Sequence, residues 1–162
     1  MKFSVSRRAA AYAVLIAAVI AVDRWTKLLA RRHLAADGPL ELARWLCFSY
    51  VENTGAAFGL LRGMNWALAV FAAAMLAGLF LYRKRIEESG GALAAAGLAL
   101  VAGGALGNLW DRIAYGAVTD FIDFRVWPVF NAADSFISVG AALMAFAFCF
   151  NGADKPPSEE TK

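Results

Sequence analysis

The stretch SGGALAAAGLALVAGGALGNLW, residues 89–110, holds 22 residues without a charged side chain and ends directly before Asp111 and Arg112. A helix needs about 20 mostly apolar residues to cross a bilayer. Three more charge-free windows occur along the chain, at residues 9–22, 63–82 and 135–153. All 29 Asp, Glu, Lys and Arg residues lie outside these four windows. The pattern predicts a small membrane protein with charged connections.

Composition excludes several other classes of protein. The 162 residues are 60% hydrophobic and 18% charged, whereas soluble domains are about 25% charged. This excludes a disordered chain, a small disulfide scaffold and a typical soluble enzyme. The net charge of +3 fits basic residues that meet anionic lipid headgroups. No basic stripe with interleaved aromatic residues occurs, so we expect no nucleic-acid partner.

The charge-free windows predict one membrane domain, residues 1–153, followed by a disordered tail at 154–162. The first window is short, which leaves the core of a signal peptide as an alternative. No small-residue cleavage site ends it, so we extend this helix to about residue 30 and expect Asp23 and Lys27, four residues apart, to pair. The expected spans are residues 9–30, 64–82, 90–110 and 135–152.

Four spans place both termini on the same side of the membrane. The basic N-terminus and the turn Arg83-Lys84-Arg85 favour the cytoplasm for that side. Four basic residues close to the first span act against this orientation: Arg24, Lys27, Arg31 and Arg32. We therefore expect cytoplasmic termini and two outer segments, residues 23–62 and 111–134.

The first outer segment predicts a strand followed by a turn. Residues 45–52 are aromatic and β-branched, as is typical of a strand, and Asn53-Thr54-Gly55 is a turn signal. Small residues continue to Gly59, which allows either a close approach of the backbone to a ligand or simple packing of Gly55 against Gly59.

The second outer segment follows the stretch quoted first. Gly103 and Gly107 predict close helix packing, and Asn108 lies in the last turn of that helix. Arg112 suits a helix C-terminus, whereas Asp111 has the unfavourable charge there. An exposed Asp111–Arg112 pair is the alternative to a function for these two side chains.

Residues 118–124 predict a second strand, in which side chains alternate between faces. Asp120 shares its face with the apolar Val118, Ile122 and Phe124, whereas Asp123 shares the other face with Thr119 and Arg125. We therefore expect Asp123 to be solvated. A carboxylate among apolar side chains needs a partner or a function, so Asp120 is the candidate functional residue.

The fourth span opens with Phe130-Asn131-Ala132-Ala133-Asp134-Ser135. Asn131 suits a helix cap, and Asp134 suits the first turn, where the helix dipole favours an anion. Capping and chemistry are compatible, because a helix start can hold a carboxylate rigidly.

Several types of catalytic site are excluded. The one histidine, His33, rules out an H-E-x-x-H zinc site, and no G-x-S-x-G or phosphate-binding loop is present. Carboxylates and amides remain near the outer face. Two aspartates that share one proton can hydrolyse a bond without a cofactor or metal, so we expect neither.

Five pieces of the chain, in this order, resemble lipoprotein signal peptidase, or signal peptidase II, of bacterial inner membranes. They are residues 23–27 (DRWTK), 53–59 (NTGAAFG), 104–112 (GALGNLWDR), 118–124 (VTDFIDF) and 130–135 (FNAADS). The resemblance implies an all-α membrane protein with four transmembrane helices, a small extracytoplasmic β-cradle and a short extracytoplasmic helix. It also implies a location in the inner membrane with the active site at the outer face.

The resemblance further implies an aspartyl endopeptidase that cuts diacylglyceryl-modified prolipoproteins just before the lipidated cysteine. Asp120 and Asp134 match the catalytic dyad of the family. The residues that match as substrate-binding or supporting are Asp23, Asn53, Gly55, Asn108, Asp111, Arg112 and Asn131. Membrane lipid and globomycin-type peptide inhibitors are the other expected partners, and we expect a monomer.

A small transporter or channel with membrane carboxylates as a proton relay is the alternative from another functional class. Relay carboxylates should lie in the middle of spans, whereas the aspartates here lie at the ends of charge-free windows. This position favours the peptidase.

Overall fold

The computed structural model describes residues 2–55, 61 and 63–151. Helix α1 is Lys2–Leu29; a π-helical turn, Ala30–Leu34, and a three-residue helix α2, Ala35–Asp37, continue it. The sheet contains β1 (Leu40–Ala43), β2 (Leu46–Asn53) and β3 (Val118–Asp123), and the remaining helices are α3 (Asn65–Tyr115) and α4 (Ala132–Asn151). Gly59 and the expected tail at 154–162 lie outside the described residues.

Helix α3 contains both of the central spans that the sequence predicts. It is bent at Gly91, where φ is 65° and ψ is −154°, into limbs of residues 65–90 and 92–115. The expected turn at Arg83-Lys84-Arg85 was wrong, because these residues continue the first limb as helix. It contains no proline, and the Arg83 guanidinium donates to the Phe80 carbonyl oxygen at 2.7 Å. The chain changes direction only at Gly91, which adopts a positive φ without strain.

Two helices among the described residues are long and apolar enough to cross a membrane by length and composition. They are Asn65–Tyr115 and Ala132–Phe150. Between them they contain residues 65–82, 90–110 and 135–150 of the last three predicted spans.

Small residues let the helices approach closely. A Cβ atom added to Gly140 of α4 would lie 2.5 Å from the carbonyl oxygen of Gly97 in α3. On the face of α3 toward α1, a Cβ atom on Gly103 would lie 2.8 Å from the side chain of Val19, and one on Gly107 would lie 2.4 Å from the Asp23 carboxylate. The predicted packing role of Gly103 and Gly107 is therefore confirmed.

The three strands form one antiparallel sheet in the order β1-β2-β3. Both predicted strands are present, and their pairing places Val51 opposite Asp120 and Asn53 opposite Val118. After β3 the chain folds back, and the Phe130 amide donates to the Ile122 carbonyl oxygen at 3.1 Å. This return brings the start of α4 beside β3.

The expected short outer helix is not found among the described residues. Helix α2 has only three residues and follows the π-helical turn directly, and residues 124–131, which connect β3 to α4, are not helical. Pro128 favours this irregular path, because the residue before a proline is restricted to extended conformations.

Candidate active site

Asp120 lies on β3 and is only 2% exposed. Its two carboxylate oxygens accept hydrogen bonds from the Asn131 amide at 2.7 Å and from the Asn53 amide at 2.9 Å. Burial raises the pKa of Asp120 to about 6; the hydrogen bond from Asn53 acts in the opposite direction, and the negative charge of Asp134 adds to the rise. The prediction of a buried carboxylate that needs partners is confirmed.

The other face of β3 is also covered, contrary to the sequence prediction. Thr119 is 1% exposed, because its hydroxyl accepts from Arg31 at 2.8 Å and its amide donates to Asp111 at 3.2 Å. Asp123, at the end of the strand, is half-buried and accepts only a local bond, from the Arg125 amide at 2.7 Å. Asp123 is less buried than Asp120, as predicted. The reason is its position at the end of the strand as well as the face on which it lies.

Asp134 is held by the start of α4. Its amide donates to the Asn131 side-chain oxygen at 3.0 Å, and its carboxylate accepts from the Asn131 amide at 3.2 Å. These reciprocal bonds form a capping box. The Asn108 amide donates to the second carboxylate oxygen at 2.8 Å. The predicted cap is present, and it fixes the carboxylate.

Asn131 connects the two carboxylates. Its side chain is fully buried, and its NH₂ group donates to Asp120 and, at 3.1 Å, to the side-chain oxygen of Asn108. The NH₂ group of Asn108 in turn donates to Asp134. Two asparagines therefore join Asp120 and Asp134 in one hydrogen-bonded group. We call these two aspartates the dyad.

Two adjoining cavities open at the dyad. The first, about 340 Å³, is lined by Asp120 and Asp134 together with Asn53, Gly55, Asn108 and Arg112. The second, about 430 Å³, is mainly aromatic and aliphatic, with Phe124 and Val139 among its lining residues. Both cavities share the side chain of Asp134. A polar chamber and an apolar chamber thus meet at one carboxylate.

Behind the dyad lies a group of buried and half-buried charged residues, which we call the ion-pair cluster: Asp23, Arg24, Lys27, Arg31 and Asp111. The Lys27 ammonium lies 3.0 Å from Asp23 and 3.1 Å from Asp111, and all three side chains are fully buried. Arg24 and Arg31 pair with the other oxygen of Asp111. The predicted Asp23–Lys27 pair is confirmed.

Asp23 also supports the start of α4. Its free carboxylate oxygen accepts from the Ala133 amide at 3.1 Å, one of the helix donors that has no partner within the helix. The close contact of Gly107 with this carboxylate leaves it no room to move.

The alternative of an exposed Asp111–Arg112 pair was wrong, because Asp111 is fully buried and pairs with other cations. The cations on Asp111 come from α1 and the π-helical turn, because consecutive helix residues point in different directions. Arg112 instead donates to the Gly55 carbonyl oxygen at 3.1 Å, and the Gly55 amide donates to Asn53 at 2.9 Å. Arg112 thereby ties α3 to the turn that follows β2.

Sequence reasoning assigned no site role to Arg24, Lys27 and Arg31. Their spacing of three and four residues places them along one helix face, and this was the available signal. It was not used, because Arg24 and Arg31 were counted only as flanking charges and Lys27 only as the partner of Asp23. Among the described residues, no group of three or more His, Cys, Asp or Glu could hold a metal ion.

A family model described as signal peptidase (SPase) II matches residues 15–150. The chain belongs to the signal peptidase II family. The match includes every residue of the dyad, its asparagines and the ion-pair cluster.

Individual relatives are similar in sequence to this chain along most of their length. The chain is 40% identical over 150 residues to the lipoprotein signal peptidase of Pelotomaculum thermopropionicum, and the matched region covers 92% of this chain and 97% of that protein. The corresponding enzyme of Mesorhizobium japonicum is 42% identical over 139 residues, covering 83% of each chain. A solved bacterial membrane enzyme superimposes with a TM-score of 0.76 at 25% identity, covering 94% of this chain and 95% of that one. This signal peptidase II family member is therefore a protease with the fold of a membrane enzyme.

Proposed function

We propose that this protein is an aspartyl endopeptidase that removes the signal peptide from diacylglyceryl-modified prolipoproteins, cutting before the lipidated cysteine. The observation that supports this most directly is the hydrogen-bonded group in which Asn131 and Asn108 join Asp120 to Asp134. Two carboxyl groups that line one cavity can act together as acid and base. The family and the names of the relatives support the same reaction and substrate class.

In the proposed mechanism the dyad shares one proton. The ionised aspartate takes a proton from a water molecule, which attacks the carbonyl carbon of the peptide bond before the cysteine. The protonated aspartate gives its proton to the carbonyl oxygen. When the tetrahedral intermediate collapses and the C–N bond breaks, the aspartate that took the water proton gives it to the leaving amine. A hydroxyl proton of the intermediate returns to the other aspartate, which restores the shared proton. Burial raises the pKa of Asp120 to about 6, closer to neutral pH than that of an ordinary aspartate, which favours proton exchange by this carboxyl group.

The asparagines position the dyad in this mechanism. Each carboxylate oxygen of Asp120 and Asp134 accepts a bond from an amide group of a fixed residue. Such bonds orient a reacting group without adding a formal charge to the site. Arg112 holds the Gly55 turn at the wall of the polar cavity, where the substrate backbone would lie.

The adjoining apolar cavity suits the hydrophobic parts of the substrate. Its position beside Asp134 would place a lipid chain or the apolar segment of the signal peptide next to the scissile bond. Globomycin-type peptides would occupy the same space as competitors of the substrate.

The proposed membrane arrangement has four spans: α1, the two limbs of α3, and α4. The bend at Gly91 and the basic residues 83–85 lie at the cytoplasmic end, together with both termini. The sheet and the dyad lie at the opposite end, at the outer face of the bacterial inner membrane. The protein would act as a monomer surrounded by lipid.

A gel-shift assay tests the proposal. The purified protein is incubated with a diacylated prolipoprotein, and we expect a signal peptide to be released and a globomycin-type peptide to block its release. The matched control is the same precursor with its lipidated cysteine replaced by serine, which should remain uncut. Cleavage of both precursors would contradict the substrate class, and proton flux in vesicles without any cleavage would favour the transporter instead.

A further inference from the structure

Among the described residues, Lys27 is the fully buried ammonium that contacts both the ion-pair cluster and the group around the dyad. Its nitrogen donates to the side-chain oxygen of Asn108 at 2.7 Å, and it also pairs with Asp23 and Asp111. Neither Arg24 nor Arg31 has a hydrogen bond to Asn108 among the contacts of the described residues. Lys27 therefore occupies a different position from the other cations.

The ammonium determines which end of the Asn108 amide faces the dyad. An ammonium group can only donate hydrogen bonds, whereas an amide has a donor end and an acceptor end. The oxygen of Asn108 must face Lys27, so its NH₂ group faces Asp134 and donates at 2.8 Å. The same oxygen also accepts from Asn131, and this leaves Asn131 oriented to donate to Asp120.

We propose that Lys27 is a positioning residue for the reaction, which fixes the Asn108 amide so that it donates to Asp134. This inference rests on the proposed function, because it assigns a role in the same cleavage. Without a donor at position 27 the Asn108 oxygen keeps only the longer hydrogen bond from Asn131, at 3.1 Å, and the amide can more easily turn over and present its oxygen to the Asp134 carboxylate. Two oxygen acceptors would then face each other, and the carboxylate would lose both its donor and its orientation.

A matched pair of variants isolates this hydrogen bond from the loss of charge. Lys27→Gln and Lys27→Met remove the same charge and have similar length, but only glutamine retains an N–H donor. We expect Lys27→Met to lower kcat about 10- to 100-fold, the range for loss of an orienting partner. Lys27→Gln should retain about tenfold more activity, the effect of one hydrogen bond, and KM should change little in either.

A second comparison tests whether Lys27 acts through Asn108. In an Asn108→Ala background the Gln and Met variants should have the same kcat, because the group that they orient is absent. Arg31→Gln and Arg31→Met serve as the control pair. Arg31 contacts Asp111 and Thr119 instead, so any difference within that pair should be independent of residue 108.

Folding is checked by the unfolding midpoint in detergent. If removal of the buried cation prevents folding, the same pair is measured in an Asp23→Asn background, where one buried anion is removed with it. Equal kcat for folded Lys27→Gln and Lys27→Met, or a difference that persists with alanine at residue 108, would overturn the inference. Failure of the wild-type protein to cut the lipidated precursor would instead overturn the proposed function.

Discussion

The dyad and the ion-pair cluster hold buried aspartates in two different ways. The oxygens of Asp120 and Asp134 accept from neutral amide groups. Asp111 is paired with three cations, and Asp23 is paired with Lys27. A hydrogen bond between two charged groups is stronger than one from a neutral donor. The cluster ties α1 to α3 and to the start of α4, whereas the dyad lines the cavities that a substrate can enter.

The largest expected difference between the two regions is in stability. Asp111→Asn leaves three cations with one buried anion, and breaking a buried pair costs about 3–5 kcal/mol. We expect a clearly lower unfolding midpoint in detergent. Glu41→Gln is the control, because its pair with Arg125 is exposed and its loss should change stability by less than about 0.5 kcal/mol. Equal midpoints for the two variants would contradict the structural role of the cluster.

Position in the sequence explains which parts of the site could be predicted. Asp134 and Asn131 were found as a cap because they lie three residues apart, and Asp120 because its strand neighbours are apolar. The partners of Asp111 were missed, because Arg24 precedes it by 87 residues and only the packing of α1 on α3 brings them together. No local periodicity contains that information.

The same reasoning applies to the fold. The charge-free windows and both strands could be predicted, because hydropathy and alternation are local properties. The turn between the two central spans was predicted at residues 83–85, since basic residues often mark a connection between spans. Its actual position depends on Gly91, the residue within α3 with a positive φ. Because Gly90 directly precedes Gly91, the sequence alone does not show which of the two glycines adopts the bent conformation.

A smaller effect on stability is expected at the contact between α3 and the cluster. Gly107→Ala places a Cβ atom 2.4 Å from the Asp23 carboxylate, so the helices must move apart. We expect a loss of about 1–3 kcal/mol, the usual cost of overpacking, measured as a lower unfolding midpoint. Gly78→Ala is the control, because nothing lies within 4 Å of its added Cβ atom. A midpoint unchanged by Gly107→Ala would show that the cluster tolerates displacement.

A change in the hydrogen bonds of the dyad should alter the pH dependence of cleavage. The Asn53 amide donates to Asp120 and so favours the ionised form. Asn53→Ala removes this donor, and the pKa of Asp120 should rise further above its present value of about 6. The alkaline limb of the rate profile, where the shared proton is lost, should move to higher pH. A shift of that limb to lower pH would contradict the assigned donor.

The smallest effect is expected at Asp123, which marks the outer limit of the site. Its carboxylate accepts only from the Arg125 amide and lies outside both cavities at the dyad. Asp123→Asn should therefore retain close to wild-type kcat/KM in the gel-shift assay. Loss comparable to that of a dyad variant would mean that the site extends further along β3.

Cleavage of a diacylated prolipoprotein by purified Asp120→Asn and Asp134→Asn tests the central claim most directly, because asparagine keeps the shape of each side chain but cannot exchange a proton. Both variants should fold with midpoints close to that of the wild-type protein and should release no signal peptide, while Asp123→Asn remains active. Cleavage at the wild-type rate by either folded dyad variant would contradict the assignment of Asp120 and Asp134 as the catalytic pair.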